Sequence, residues 1–325
     1  MLWFRDVCFY IIVAGGIKEL TLPQAGAALL RLATAHRFNS RDLGIEALAM
    51  LSCIYDPLIQ RHFSDPSYER QSSSDPKLSV LEVLKSIATD HRFLDISPTS
   101  TSEILQKRES AIIDHCSSCT ITASASPSPA DLREALRQAQ IAGAILAVQH
   151  ASSTRNDAAS ADLLIPLLTS DALRVLLPTM PARFVVLLLR QWLLLTILTY
   201  IQAGRPRIDT SKLTHDLQAR NARAAPSWKH VIHTTLSTIT SPSDENGGHL
   251  AQAVLALKTS EDTWGGDVVA TDLGRGPESA ESQTQEELDQ AEEARKDWWL
   301  KAATSLMRSG NDSRDDGDVR PAGVV

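Results

Sequence analysis

Two long apolar segments, separated by a short proline-containing turn, constrain the fold of this 325-residue chain more than any other feature. The first begins at Asp162, and the second runs from Phe184 to Gly204. Leucine is the commonest residue in both, and leucine favours helices. Pro178 and Pro181 interrupt the run, because proline lacks the amide hydrogen that a helix interior requires. The pattern predicts a buried helical hairpin at the centre of the protein.

Helix start and stop signals occur throughout the rest of the chain. Ser128 and Asp131 have the spacing of a capping box, which would open a helix to about His150. Pro181 at the first helical position and Gly204 just past the last bracket the second apolar segment. Further helices fit residues 43–58, 76–87, 211–223, 226–240, 249–264 and 286–309.

Composition sets the predicted domain organisation. Aromatic residues make up only 5% of the chain, and runs of strand length are hard to find. Residues 265–285 combine glycines with scattered acids and read as a mobile loop insertion, while residues 310–325 read as a disordered tail. We therefore predict an all-α protein: a single irregular multi-helix domain over residues 1–309 with the hairpin at its centre.

Charge and hydropathy exclude several classes of partner. The formal net charge of −7 gives no electrostatic support for nucleic-acid binding. In the second apolar segment, Arg190 leaves too short an uncharged run for a membrane span, which needs about 20 residues. Residues 7–17 are uncharged but lack an A-x-A-like cleavage site, so we predict a cytoplasmic protein that neither binds nucleic acid nor spans a membrane.

Recognised cofactor and metal motifs are missing from the sequence. No G-x-G-x-x-G follows a strand, so neither a nicotinamide nor a flavin fingerprint is present. His230 and His233 share a helix face, but no carboxylate accompanies them, and we predict no metal site. Cys116 and Cys119 have C-x-x-C spacing without a second ligand pair, and we predict surface cysteines without a function.

A few charged side chains remain as candidates for chemistry. Arg190 lies in the most apolar segment, so it needs either a partner carboxylate, from Asp162 or Asp171, or an anionic ligand. Arg205 follows a predicted helix end, where positive charge is favourable. His249 opens a predicted helix, whose positive end favours a neutral ring able to act as general acid or base, although spacing alone favours a plain histidine at a helix N-terminus.

Several phrases of the sequence, taken in order, resemble the fungal questin oxidase-like family. The resemblance runs from about residue 132 to residue 309, with a fainter echo over residues 42–94. Its phrases are Ala161-Asp-Leu-Leu164, Leu188-Leu-Arg190, Tyr200 with Gly204-Arg-Pro206, Trp228, the run 249–257, and Trp299-Leu-Lys-Ala-Ala303.

The resemblance implies an oxidoreductase of fungal polyketide metabolism. It implies an NADPH- and O2-dependent, Baeyer–Villiger-type opening of an anthraquinone ring, with an aromatic polyketide as the small-molecule partner. Together with the residue analysis, it gives catalytic roles to His249 and Asp162 and NADPH-binding roles to Arg190 and Arg205.

The chain also departs from the family pattern. A histidine of the family phrase is replaced by Pro166, a lysine is replaced by Gln252, and the N-terminal histidine-rich helix has no counterpart. These departures indicate a shortened or diverged member. The alternative function is a catalytically inactive helical binding protein that keeps the family scaffold, and a weaker one is a protein that binds a membrane surface through the second apolar segment.

Overall fold

The computed structural model describes residues 22–53, 77–94, 101–122, 128–152, 162–208, 226–237, 239, 245–265 and 298–315. Within these ranges the chain is helical and contains no strand, which confirms the all-α prediction. The α-helices are α1 (Leu22–Arg37), α2 (Arg41–Cys53), α3 (Val80–Thr89), α4 (Thr101–Ser118), α5 (Pro129–Ser152), α6 (Ile165–Leu176), α7 (Ala182–Gln202), α8 (Trp228–Ser237), α9 (Glu245–Trp264) and α10 (Trp298–Asp315).

The contacts between α-carbons divide the chain into two compact units. Unit 1 comprises Met1–Gly143 and Ile165–Ile208, and unit 2 comprises Ala144–Leu164 and Asp209–Val325. The predicted single-domain organisation over residues 1–309 stays a prediction.

The core of unit 1 is the hairpin of α6 and α7, as the sequence predicted. Helix α7 is in contact with α1, α3, α4 and α6, so its apolar side chains face protein on several sides. Among the described helices, α7 is the one long and apolar enough to cross a membrane, and 78% of its segment Phe184–Gln202 is buried inside the protein. That degree of burial is typical of the core helix of a helical protein.

The start of α6 lies against α5 at very short range. A β-carbon added at Gly143 would lie 2.6 Å from the α-carbon of Leu167 and 2.7 Å from its amide nitrogen. Pro166 is the second residue of α6, and in the first turn of a helix the amide hydrogen that proline lacks would have no partner within the helix. The carbonyl of Pro166 accepts a hydrogen bond from Trp192 Nε1 at 3.2 Å. Pro166 is therefore a buried structural proline.

The end of α7 is closed by its own sequence signature. Gly204 has a φ of 82°, and its amide donates to the carbonyl of Ile201 at 3.0 Å. The amide of Arg205 donates to the carbonyl of Tyr200 at 3.0 Å, which completes a Schellman motif. The Tyr200 hydroxyl donates to the carbonyl of Pro206 at 2.7 Å. The predicted C′ position of Gly204 is confirmed, since it follows the C-cap residue Ala203, and Pro181 is the N-cap, one residue before the predicted position.

We expect Gly204→Ala to lower the free energy of unfolding by about 1 kcal/mol, because an L side chain at this positive φ is strained. No atom lies within 4 Å of the position that the added β-carbon would occupy, so the cost comes from the backbone alone. Gly248→Ala is the control, since its β-carbon position is equally open and its backbone is helical. Urea unfolding of both variants checks this; equal stabilities would contradict it.

Several helix boundaries differ from those that the sequence predicted. Helix α3 begins at Val80, because Ser79 and Glu82 form a capping box in which the Ser79 amide donates to Glu82 Oε2 at 2.7 Å. The predicted start at residues 75–76 lies outside the described residues, as do residues 54–58 of the second predicted helix. The capping box of Ser128 and Asp131 is confirmed, with the Asp131 amide 3.2 Å from Ser128 Oγ.

Unit 2 is built by α8, α9 and α10, which pack on one another. Trp298 and Trp299 are buried at the start of α10, with their rings edge to face and 5.2 Å apart. Trp299 Nε1 donates to the carbonyl of Gly265 at 3.1 Å, which ties the end of α9 to α10. Helix α10 continues to Asp315, into the segment assigned to the tail, whereas the predicted helices at 211–223 and 286–297 lie outside the described residues.

Candidate functional site

The four side chains singled out by sequence divide between the two units. Arg190 and Arg205 belong to unit 1, and Asp162 and His249 belong to unit 2. Asp162 begins a short 3-10 helix, Asp162–Leu164. Their functional roles stay predictions.

The two arginines occupy very different environments in unit 1. Arg190 is buried within α7, with only 8% of its surface exposed. Arg205 Nη1 lies 3.3 Å from the carbonyl of Asp90 and 3.5 Å from that of Ile87, so its guanidinium closes the end of α3. Arg190 also lies about 18 Å before the end of α7 at Gln202, at 1.5 Å per residue, and Arg205 follows that end. They do not converge on one phosphate group.

His249 lies in the second turn of α9, and its side chain is exposed. The helix begins at Glu245, four residues earlier than predicted, and includes Gly247 and Gly248. Burial of Ala251, Ala253 and the apolar residues after them stabilises the helix and outweighs the low helix propensity of glycine. The effect of the helix dipole fades beyond the first turn, so the predicted dipole argument for His249 is weakened.

A polar cluster that the sequence did not predict lies where α3 ends beside α4. We call it the His115 cluster, and it consists of Ser86, Asp90, Arg92, Asp114 and His115. His115 Nε2 lies 2.9 Å from Asp90 Oδ2, and His115 Nδ1 lies 3.1 Å from Ser86 Oγ. The imidazole therefore bridges a hydroxyl and a carboxylate. Both the His115 and the Asp90 side chains are almost buried, at 11% and 10% exposure.

The backbone around Asp90 fixes the carboxylate in place. Asp90 is the C-cap of α3 and also the N-cap of the 3-10 helix His91–Phe93, where its Oδ1 accepts from the Arg92 amide at 2.8 Å. Arg92 Nε donates to Asp90 Oδ2 at 2.9 Å, and Arg92 Nη1 donates to Asp114 at 2.7 Å. The ring of Phe93 lies 5.9 Å from that of His115 and covers it on one side.

These contacts determine the charge state of the carboxylate. Burial by itself would raise the pKa of Asp90, but the hydrogen bonds from the Arg92 side chain and amide and from His115 outweigh it. The pKa of the Asp90 carboxyl is therefore held well below its usual range. An ionised carboxylate only accepts hydrogen bonds, so His115 Nε2 carries a hydrogen and Nδ1 faces the Ser86 hydroxyl.

The two cysteines beside this cluster are buried, so the prediction of surface cysteines is wrong. Cys116 lies in the last turn of α4. Cys119 follows the end of α4 and forms an isolated β-bridge with Leu78. Burial raises the pKa of the Cys119 thiol to about 12, which keeps it protonated and unreactive at neutral pH. Among the described residues, no three His, Cys, Asp or Glu side chains are grouped in a way that could hold a metal ion.

The sequence could have predicted that two members of the His115 cluster lie together, but not that His115 joins them. Ser86 and Asp90 are four residues apart, a spacing that places both on one face of α3. Their pairing with His115 depends on how α3 and α4 pack, which spacing along the chain does not reveal. In the sequence, His115 stands out only as the neighbour of a cysteine motif.

The described structure is thus an all-α protein with a buried hairpin, a capped α7 and a bridged imidazole in unit 1. A model of the questin oxidase-like family matches residues 22–257, a span that includes all three features. Because the match covers well over half of the chain, the protein belongs to the questin oxidase-like family. No curated protein matches it.

Proposed function

We propose that this protein is an oxidoreductase of fungal polyketide metabolism. The proposed reaction converts an anthraquinone-like ketone, O2, NADPH and a proton into a ring-expanded lactone, NADP+ and water, as in a Baeyer–Villiger oxidation. The observation that carries the proposal is the family match over residues 22–257. The substrate is a flat aromatic molecule, which suits an apolar site between helices.

Arg190 and Arg205, the two arginines predicted to bind NADPH, do not form a nucleotide site together. A dinucleotide needs donors gathered around its phosphate groups, usually at a helix N-terminus or on arginines. Arg205 donates to backbone carbonyls at the end of α3, and Arg190 is buried in α7. No step of the reaction is therefore assigned to a bound NADPH, and the cofactor rests on family membership alone.

The test is turnover by the full chain. The purified protein is incubated with a panel of hydroxyanthraquinones, NADPH and isotopically labelled O2, and the products are analysed by mass spectrometry. We expect one labelled oxygen atom in the product and NADPH consumption that depends on substrate. Consumption without labelled product, or no consumption with any member of the panel, would overturn the proposal.

We expect His249→Ala to reduce the oxidation at least about 100-fold if its ring transfers the proton, which is the usual loss for a general acid or base. The matched control is His233→Ala, which also removes an exposed histidine from a helix of unit 2. Initial rates of NADPH consumption measure both variants. Equal rates in both variants and in the unmodified protein would remove His249 from the mechanism.

One observation favours a second candidate function, a catalytically inactive binding protein. Pro166, which by the resemblance takes the place of a family histidine, is buried at the start of α6, where it contributes packing and no titratable group. An inactive scaffold would bind a hydroxyanthraquinone, measured by fluorescence quenching of its tryptophans, without consuming NADPH or O2.

A further inference from the structure

The proposed oxidation leaves one chemical requirement unmet. Insertion of oxygen into a ring carbon–carbon bond yields a lactone, in which the ring is still closed. Opening the ring needs water to cleave the new ester bond, with an acid and a phenol as products. Such cleavage calls for an activated nucleophile and a base to accept its proton.

We infer that Ser86, His115 and Asp90 form an ester-cleaving site, with Ser86 Oγ as the nucleophile and an aryl ester or aryl lactone as the substrate class. That a lactone is the substrate rests on the proposed function, whereas the geometry of the three side chains does not depend on it. Nucleophile and base within hydrogen-bond reach, and a base oriented by a third group, are the structural signature of nucleophilic catalysis.

The geometry of the three side chains meets that signature. Ser86 Oγ lies 3.1 Å from His115 Nδ1, and His115 Nε2 lies 2.9 Å from Asp90 Oδ2. Ser86 Oγ is also 2.9 Å from the carbonyl of Val83, so rotation about one bond turns its hydrogen from that carbonyl to Nδ1. Arg92 holds the carboxylate in place through its amide and its Nε, which both donate to Asp90.

The nucleophile of this site is also partly accessible from solvent. Ser86 is partly exposed and His115 retains 11% exposure, whereas Phe93, which packs on the imidazole, is fully buried. Leu94, the next residue, has an exposed apolar side chain at 68% of its surface. This exposed apolar side chain follows directly on Phe93, the residue that packs on the imidazole, and an apolar surface suits an aryl ester better than a charged one.

The bond changes balance without any further reactant than water. Ser86 Oγ attacks the ester carbon while its proton moves to His115 Nδ1, and the imidazolium is stabilised by the Asp90 carboxylate. The ester carbon–oxygen bond then breaks, and the phenol leaves with the proton from Nδ1. Water then attacks the acyl carbon and gives a proton to Nδ1. The bond from the acyl carbon to Ser86 Oγ breaks, and Nδ1 returns the proton to Oγ, which releases the acid and the free serine. The low pKa of Asp90 keeps the carboxylate ionised throughout at neutral pH.

The experiment uses the full chain with a fluorescent fluorophosphonate and with p-nitrophenyl acetate. The first bonds phosphorus to an activated serine with loss of fluoride, and the second reports hydrolysis. We expect peptide mass spectrometry to locate the phosphonate on Ser86 of the unmodified protein. We expect Ser86→Ala to lose the label and to lower protein-dependent hydrolysis at least about 100-fold.

Ser118→Ala is the matched control. Ser118 Oγ donates to the carbonyl of His115 at 2.8 Å, just as Ser86 Oγ donates to the carbonyl of Val83. The control variant therefore loses a comparable hydrogen bond but leaves the three site residues unchanged. It should keep both the label and the hydrolysis. Mapping the adduct in the unmodified protein keeps the test independent of how well Ser86→Ala folds.

Two results would overturn the inference: a folded, unmodified protein with no adduct at Ser86, or hydrolysis that Ser86→Ala leaves unchanged. Neither probe needs NADPH, O2 or an anthraquinone. Failure of the labelling therefore contradicts the ester-cleaving site alone, and failure of the labelled-oxygen experiment contradicts the proposed oxidation alone.

Discussion

Gly143→Ala should lower the free energy of unfolding by about 2–4 kcal/mol. The added methyl group would lie 2.6 Å from the α-carbon of Leu167 and 2.7 Å from its amide nitrogen. Both are backbone atoms at the start of α6, so relief requires that one helix move away from the other. Such movement would also loosen the packing around Pro166, whose carbonyl binds the indole of Trp192.

Gly248→Ala serves again as the control for this experiment. Gly248 lies in α9 with nothing within 4 Å of its β-carbon position, so alanine should stabilise the helix by about 0.5–1 kcal/mol. Urea unfolding followed by circular dichroism measures both variants. A Gly143→Ala protein as stable as the unmodified one would show that α5 and α6 do not approach each other this closely.

Asp90→Asn should be the second most damaging change, with a loss of roughly 2–3 kcal/mol. The amide can still cap the 3-10 helix, but it removes the charge that Arg92 and His115 bind. Asp114→Asn is the matched control, because Asp114 is exposed and binds Arg92 through a single contact. Thermal unfolding at neutral pH compares the two variants. Equal losses of stability would show that the buried carboxylate contributes no more than the exposed one.

The same carboxylate predicts a dependence of stability on pH. The pKa of Asp90 is lower in the folded protein than in the unfolded chain, so its contribution is fully present above the unfolded value of about 3.9. It is lost as the pH falls below that value towards the folded pKa. We expect stability to decrease with acid below about pH 4, and to decrease less steeply in Asp90→Asn. Parallel curves for the two proteins would contradict the assignment.

The fold was predictable from sequence because its signals are local. A leucine-rich run bounded by Pro181 and Gly204 defines α7, and the capping box at Ser128 opens α5. The starts of α9 and α3 differ from the predicted ones for different reasons: packing outweighed helix propensity at α9, and a different capping signal was used at α3. Two glycines are included in α9 because the helix buries an apolar face beyond them, and α3 starts at Val80 because a second capping box is available at Ser79.

The candidate site was less predictable because its signal is not local. Ser86 and Asp90 share a face of α3, but nothing in their spacing identifies His115, which is 25 residues beyond Asp90, as their partner. A buried cysteine also has the same sequence context as an exposed one. Cys116 and Cys119 were predicted at the surface because no second ligand pair gives them a metal or redox role, and only the packing of α4 reveals that they are buried.

The cap at the end of α7 has a consequence for how relatives of this protein are recognised. Gly204 and Arg205 donate to backbone carbonyls at the ends of α7 and α3, and the Tyr200 hydroxyl donates to the carbonyl of Pro206; none of these contacts needs a substrate. Their motif would be preserved by selection for folding alone, in an active enzyme and in a descendant that has lost turnover. A genome search anchored on that motif therefore collects proteins that can build the hairpin, and sorting enzymes from inactive descendants needs positions elsewhere, beginning with residues 86, 115 and 249.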